Sequence, residues 1–338
     1  MAGLAAVALL LLSCSAAASL IFILPILVAA ESLSGHSPMI VRRFWIVANA
    51  LPFAAGLLLT AAAFAFLLGD LTATPHQQLR TRAHLCLDRF ALLPDAPFRF
   101  ELYAVLASGL LLYALVRFVL SVRASLRAEV IAAQLAEPPN AAGGAAVVVL
   151  DGEEPECFSL GLAHPVVVLT TGLTRLLTEA ETEAVLAHER CHLRHRDTVL
   201  ELVMRLLTDP LIWLPTTHYT LRSLRATLEL ACDAEAAQET STESLVSALE
   251  KMAAATQAQQ VKLQGDLAAL RPPFASYASP TARIAALQGE QYASLALPLP
   301  VILGLECVAL VGMAVWFWRP LHDTLYCAAS SLLTILGH

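Results

Sequence analysis

The sequence is poor in charged residues and has almost no lysine. Only 14% of its 338 residues are charged, whereas soluble domains typically carry about 25%. Hydrophobic residues make up 57% of the chain. This much apolar surface cannot all face one globular core, so a lipid bilayer is expected as a second solvent. The net charge is −7 and the only lysines are Lys251 and Lys262, so no basic stripe for nucleic acid is expected.

The cysteines lack the spacing of a disulfide framework or a cysteine metal site. There are seven of them, an odd number, and no CxxC pair occurs. Disulfide frameworks use an even number of cysteines, and cysteine zinc sites usually contain CxxC pairs. The sequence therefore predicts neither kind of site.

Long apolar runs occur four times, and each is long enough to cross about 30 Å of hydrocarbon. The first run has no basic start and is longer than the apolar core of a typical signal peptide, so it is predicted to stay as an anchor. Residues 1–122 are expected to hold three spans with an outer loop at 70–101, and a short tail is expected at 319–338. The predicted spans are 4–30, 45–69, 102–122 and 294–318.

Arginines near the ends of the spans indicate the orientation. Arg42 and Arg43 follow the first span, and Arg123 and Arg127 follow the third. Because positive residues favour the cytoplasmic side, the chain is predicted to be a multi-pass membrane protein with the domain at 123–293 in the cytoplasm. The arginines within the 70–101 loop count against this orientation.

The domain at 123–293 combines strand-like and helical patterns. Three short apolar runs, separated by glycine and proline turn signals, predict a small antiparallel sheet. Thr178 and Glu181 have the spacing of a capping box, which predicts a helix that ends near Arg196. The fold class is therefore a mostly α membrane protein with an α+β domain between its third and fourth spans. The predicted strands are 145–150, 157–160 and 166–169, and a second helix is predicted at 221–238.

The apolar segment 198–219 has two interpretations. It is interrupted by Pro210 and Pro215 and holds charged residues such as Glu201. A partly membrane-embedded hairpin and a buried helix followed by a loop both fit this pattern.

The motif that carries chemistry is HExxH, formed by His188, Glu189 and His192 on the first predicted helix. Residues four apart lie on one helical face, so the two imidazoles can bind one Zn²⁺, with bonds of about 2.0–2.1 Å. Bound zinc acidifies a water molecule, and the adjacent carboxylate of Glu189 can then take its proton. The pattern predicts a zinc-dependent hydrolase site.

A catalytic zinc site needs a third protein ligand. Glu229 is favoured because Asp233 lies four residues later on the same helical face, where one carboxylate can ligate while the other orients a histidine. His195 is the main rival, although its neighbours Arg194 and Arg196 favour a basic surface. The other possible ligands are Glu201, His218, Glu235 and Glu239.

The two motifs together resemble those of the BlaR/MecR antirepressor-type membrane metallopeptidases and are similar to those of the related HtpX and CAAX-prenyl endopeptidase group. The first motif runs from His188 to Asp197 and the second from Glu229 to Ala234. The resemblance implies a zincin-like domain with zinc held by His188, His192 and Glu229, Glu189 as the base and Asp233 behind a ligand. It also implies hydrolysis of a protein substrate, such as a cytoplasmic repressor or a membrane protein, in signal transduction.

Several roles stay open at this point. Either 145–150 or 166–169 could be the edge strand that pairs with a substrate peptide. Tyr277 and Arg283 are possible donors to the oxyanion, but a packing role is favoured for each. The alternative to an active peptidase is a membrane signalling or scaffold protein with a vestigial site. The presence of Glu189 favours activity, since pseudo-enzymes often lose the general base first.

Overall fold

A computed structural model describes residues 2–33, 35–72, 96–135, 146–259 and 279–289, together with Gly304 and Val308. Within these ranges the chain is mostly helical, with one small sheet. The predicted fourth span at 294–318 lies outside the described residues except for Gly304 and Val308. Of the predicted outer loop at 70–101, residues 70–72 and 96–101 are described and are helical, and the rest lies outside the described residues.

Three helices are long and apolar enough to cross a membrane, as predicted for the first three spans. They are α1 (Ala2–Ser32), α2 (Pro38–Thr72) and α3 (Ala96–Leu135). Helices α1 and α2 approach each other closely at Gly56, where an added Cβ would collide with Ser15 of α1. The chain is therefore a membrane protein whose first two spans pack directly against each other.

The small sheet contains β1 (Ala146–Leu150), β2 (Cys157–Leu160) and β3 (Val166–Thr170) in the order β1-β3-β2. Strand β2 is antiparallel to β3, but β1 is parallel to β3. The predicted antiparallel sheet is therefore wrong for one of its two pairings. The reason is that the connection after β1 carries the chain past the β3 position, and β3, whose residues are all buried, then fills the centre.

The helix of the HExxH motif, α5 (Glu179–His195), follows a short helix α4 (Thr171–Leu176). Its predicted capping box is confirmed, because Thr178 Oγ1 accepts from Glu181 N and the Glu181 side chain accepts from Thr178 N. Arg196 ends α5 in the left-handed region, with φ of 53°, and the chain turns directly into α6 (Asp197–Thr208). This turn brings the first residue of α6 back towards the end of α5.

The segment after α5 packs against the membrane helices. Helix α6 has 12 residues, fewer than the roughly 20 needed to cross a bilayer. It is followed by a 3₁₀ turn (Asp209–Leu211) and by α7 (Pro215–Glu239), which starts before the predicted second helix. Leu211 and Leu214 are fully buried in a cluster with apolar residues of α1 and α3. The turn after α6 therefore packs among residues of two membrane-spanning helices, as a partly embedded hairpin would, although its helix and loop are also those of a buried segment. Both interpretations of 198–219 stay predictions.

Two further helices cover the ends of α5 and α7. Helix α8 (Thr242–Gln259) contributes Leu245 and Leu249 to an apolar cluster with Ala184 of α5 and Ala236 of α7. Helix α9 (Pro280–Leu287) packs on the same cluster. Its first turn is capped by Ser279 Oγ, which accepts from Ala282 N. Helices α5, α7, α8 and α9 therefore share one apolar cluster.

Candidate metal centre

The two histidines of α5 point at the same region of space. His188 Nε2 and His192 Nε2 lie 3.1 Å apart. Two nitrogens bound to one tetrahedral ion at about 2.0–2.1 Å would lie about 3.3 Å apart. The observed spacing follows from the helical repeat, which puts residues four apart on one face. It is close to the spacing needed for both nitrogens to bind the same metal ion.

Glu229 of α7 faces this histidine pair. Its Oε2 lies 3.7 Å from His188 Nε2, and its Oε1 lies 3.8 Å from His192 Nε2. One atom from each of the three side chains falls within 4.8 Å of the others. Two neutral imidazoles and one carboxylate are a donor set that fits Zn²⁺ and leaves a fourth position for water or substrate.

Each histidine is held from behind by a carboxylate. His188 Nδ1 lies 2.9 Å from Asp233 Oδ1, and His192 Nδ1 lies 2.9 Å from Asp197 Oδ2. A hydrogen bond from Nδ1–H to a carboxylate fixes the tautomer and leaves Nε2 free to bind a metal. The Asp233 contact is the arrangement expected from the sequence. Asp197 is the last residue of the first motif, but its position in the sequence predicts no role for it.

Arg283 of α9 lies inside the site. Its Nε and Nη2 donate to the two carboxylate oxygens of Asp233 at 2.7 and 2.5 Å, and its Nη1 lies 3.1 Å from Glu229 Oε2. Burial alone would raise the pKa of Asp233, but Arg283 and His188 outweigh this effect and hold that pKa well below its usual range. The sequence favours a packing role for Arg283. In the structure its side chain also forms ion pairs with two carboxylates of the site. Tyr277, the other possible oxyanion donor, lies outside the described residues.

The electrostatics of the pocket favour a cation. Burial lowers the pKa of His192, but the neighbouring carboxylates Asp197, Glu229 and Glu189 outweigh burial and raise that pKa to about 9. An imidazole held among these carboxylates is stabilised in its charged form. A divalent ion bound at the Nε2 atoms would balance the same carboxylate charges in place of the proton on His192.

Glu189 is half-buried on the same helix as the two histidines. Its charge acts on His192 and Arg283 and also on Cys157 of β2, where burial and then Glu189 raise the pKa of the thiol. The carboxylate is therefore near enough to the histidine pair and to the first residue of β2 for its charge to act on both.

The other possible third ligands have different partners. His195 lies 2.9 Å from Glu235, which also pairs with Arg194. Arg194 Nη2 lies 2.7 Å from Glu239 as well. Glu201 forms a buried ion pair with Arg225, and His218 Nε2 lies 2.6 Å from the carbonyl oxygen of Ile212. None of these side chains reaches the His188–His192 pair in the part of the chain that the structure describes. His195 and Glu235 also lie near Cys191, but its sulfur is bonded to another cysteine and is not free to bind a metal.

A disulfide joins the two motif helices. Cys191 lies within HExxH and Cys232 lies between Glu229 and Asp233, and the two form a bond between α5 and α7. The sequence predicts no framework of several disulfides, and this single bond is not such a framework. The prediction missed this bond because the two cysteines are 41 residues apart and share no spacing pattern.

Three comparisons with known proteins bear on this site. Residues 146–264, which include both motifs, match the family model of the BlaR1 peptidase M56. The chain is 34% identical over 70 residues to a protease HtpX homolog of Thermodesulfovibrio yellowstonii, covering 20% of this chain and 25% of that protein. It is 46% identical over 55 residues to a protease HtpX homolog of Acidiphilium cryptum, covering 16% and 19%.

The matches to the curated relatives thus span about a quarter of those proteins or less. Among solved structures, the crystal structure of S. mikatae Ste24p is similar at 15% identity with a TM-score of 0.31, covering 68% of this chain and 64% of that one. The resemblance to BlaR1-type peptidases and to the HtpX group is confirmed for the segment that carries the two motifs.

Proposed function

We propose that this chain is a membrane-embedded, zinc-dependent endopeptidase. The observation that carries the proposal is the convergence of His188 and His192 of α5 with Glu229 of α7, whose ligand atoms lie within 4.8 Å of one another. The similarity of residues 146–264 to the BlaR1 peptidase family supports the same function. We assign residues 123–293 as the metallopeptidase domain, because they include all of these ligands.

The proposed roles follow from the geometry. His188, His192 and Glu229 hold the ion, which when bound would acidify a water molecule and polarise the substrate carbonyl. Glu189 takes the proton of the attacking water and can return it to the leaving amine. Asp233 acts through His188, because its carboxylate fixes the tautomer and orientation of that imidazole.

The substrate is proposed to be a protein segment that binds in an extended conformation along β2. Strand β3 lies in the centre of the sheet, so the alternative of 166–169 as the substrate strand is wrong. Strand β1 is also an edge strand, but β2 is the one whose Cys157 lies near Glu189. A peptide paired with β2 would gain main-chain hydrogen bonds with little demand on its sequence. A cytoplasmic repressor or a membrane protein fits this mode of binding.

The location is proposed to be a bacterial inner membrane, with the metal centre on the cytoplasmic side. Arg42 at the start of α2 contacts Asp197 beside the metal centre, so this end of the second span and the site lie on the same side. Arg43 and the arginines that follow the third span then also lie on that side, in agreement with the excess of positive residues in cytoplasmic loops. Reporter fusions after residue 36 and after residue 259 should both give cytoplasmic signals.

The metal content of the detergent-purified chain tests the function. We expect about one zinc per chain in the wild type, a large loss in Glu229→Ala and an unchanged content in Glu189→Ala, since only Glu229 is a ligand. Cleavage of a fluorogenic protein substrate should be lost in both variants. Zinc content that is unchanged in Glu229→Ala would contradict the ligand assignment.

The alternative function is a signalling or scaffold protein with a vestigial site. It predicts zinc binding without cleavage in the wild type. The half-buried Glu189 beside the histidine pair favours the enzyme, because a vestigial site has no need of a base there. A zinc-loaded wild type that cleaves no protein or peptide faster than Glu189→Ala would favour the scaffold.

A further inference from the structure

Arg42 connects the second span to the metal centre. It lies in the first turns of α2, and its Nη2 donates to Asp197 Oδ1 at 2.5 Å. The other oxygen of the same carboxylate lies 2.9 Å from His192 Nδ1. One buried carboxylate therefore bridges a guanidinium from the membrane region and an imidazole of the histidine pair.

The local structure holds this bridge in place. Arg196 adopts a left-handed conformation that ends α5 and turns Asp197 back towards His192. Arg42 Nη2 also lies 3.4 Å from the carbonyl oxygen of His195, one of the unpaired carbonyls at the end of α5. Arg42 thus contacts both sides of the turn that carries Asp197. The Arg42 and Asp197 side chains are only 12% and 7% exposed, so water cannot readily replace either partner.

The physical consequence concerns His192. Its Nε2 faces the metal position only while Nδ1 is held as a donor to Asp197. Without Arg42, the Asp197 carboxylate would keep one buried oxygen without its cationic partner, and removing one partner of a buried ion pair is strongly unfavourable. The carboxylate would then rotate or draw in water, and the orientation of the His192 ring would no longer be fixed.

We propose that Arg42 is a positioning residue for the zinc ligand His192, acting through Asp197. Because Arg42 belongs to a membrane-spanning helix, the affinity and geometry of the zinc site depend on the position of α2 relative to the end of α5. This inference rests on the proposed function, since it assumes that zinc binds at His188, His192 and Glu229.

The test compares four full-length proteins in detergent: the wild type, Arg42→Gln, Arg42→Lys and Arg43→Gln. Arg43 is adjacent and exposed, so it is the matched control. Zinc affinity is measured by competition with a fluorescent chelator. We expect Arg42→Gln to bind zinc about 10–100-fold more weakly, the usual effect of losing a residue that supports a metal ligand. Arg42→Lys should recover part of the loss, and Arg43→Gln should match the wild type.

A second readout separates positioning from loss of folding. The visible absorption bands of the cobalt(II)-substituted protein depend on ligand geometry, and they should shift in Arg42→Gln while its helix content by circular dichroism stays unchanged. If Arg42→Gln does not fold, the same comparison is made with Arg42→Lys, whose bands and affinity should lie between those of the wild type and those of Asp197→Asn. The double variant Arg42→Gln/Asp197→Asn should bind zinc no more weakly than Asp197→Asn alone, because both changes break one path.

The outcomes are distinguishable. A wild type that binds one zinc, together with an Arg42 variant of identical zinc affinity and cobalt spectrum, would overturn the inference and leave the proposed function standing. Additive losses in the double variant would also overturn it, since Arg42 would then act by a route other than Asp197. A wild type that binds neither zinc nor cobalt would instead overturn the proposed function.

Discussion

Cys191 and Cys232 form a disulfide that ties the helix of His188 and His192 to the helix of Glu229 and Asp233. Both cysteines are almost completely buried. The bond therefore fixes the separation of the two helices at the level of the ligands. Disulfides are rare in the reducing cytosol, so this bond counts against the proposed cytoplasmic placement of the site.

The disulfide leads to a stability prediction. In the oxidised protein, Cys191→Ser/Cys232→Ser should lower the free energy of unfolding by about 2–4 kcal/mol, because the cross-link restricts the unfolded chain. Thermal unfolding of the purified protein, before and after treatment with a thiol reductant, measures the effect. Reduction should lower the Tm of the wild type but not that of the double variant. Cys14→Ser, which changes a free cysteine in α1, is the control. Alkylation of both cysteines in the native, oxidised protein would contradict the pairing.

Arg283 gives a prediction that depends on the metal. It is the cationic partner of both Asp233 and Glu229. In metal-free protein, Arg283→Met should lower stability by about 3–5 kcal/mol, since it leaves buried carboxylates without a counter-charge. Bound zinc supplies part of that positive charge, so the loss should be smaller in zinc-loaded protein. The Tm values with zinc and with a chelator measure the difference.

Arg222→Met is the matched control for Arg283→Met, because Arg222 is exposed on α7. It should leave the Tm unchanged in both conditions. An Arg283→Met variant that loses the same stability with and without zinc would show that its ion pairs are independent of the metal centre.

Glu129 of α3 organises the turn between β2 and β3. Its Oε2 accepts from the backbone N–H groups of Leu162 and Ala163 at 3.0 and 3.3 Å, and its Oε1 accepts from that of His164. Glu129→Gln replaces one acceptor oxygen with an amide nitrogen and removes the charge, and a hydrogen bond to a charged group contributes about 1.5–3 kcal/mol. We expect a lower Tm and a KM for a peptide substrate that rises about tenfold, because β2 loses the support of its turn.

Zinc content should stay at the wild-type level in Glu129→Gln, since no ligand contacts this turn. Glu153→Gln, in the exposed connection between β1 and β2, is the control and should not change KM. If zinc content falls while KM stays constant, the turn supports the metal centre rather than the substrate strand.

Glu181 gives a pH-dependent prediction. Hydrogen bonds from Lys251, Ser247 and the backbone of Thr178 lower the pKa of its carboxyl to about 2. Because the pKa is lower in the folded state than in the unfolded state, the stabilisation is fully present above the unfolded value of about 4.5. It is lost as the pH falls from that value towards 2. Glu181→Gln should therefore lower the Tm at pH 7 more than at pH 3.

The matched control for this change is Glu183→Gln, an exposed position of the same helix. The Tm difference between this variant and the wild type should be small at both pH values. A Glu181→Gln deficit of equal size at pH 7 and pH 3 would show that shape, rather than the charge of the carboxylate, stabilises the start of α5.

Part of this structure could be predicted from the sequence because it depends on local interactions. The capping box of Thr178 and Glu181 and the four-residue spacing of His188 and His192 depend only on neighbours along one helix. The first three spans follow from the length of their apolar runs. The sequence could also favour Glu229 and Asp233 together, because their spacing puts both carboxylates on one face.

The tertiary structure decided which distant groups meet. The parallel pairing of β1 with β3 depends on the path of the connecting chain, which the pattern of a short strand does not encode. Arg283 and Arg42 come from helices that are remote in sequence from both motifs, and only the packing of α9 and α2 brings their guanidinium groups to Asp233 and Asp197. The sequence by itself determined which side chains are available to bind the proposed metal. Long-range packing determined which charges surround it, because burial and opposite charge act between groups that no local spacing relates.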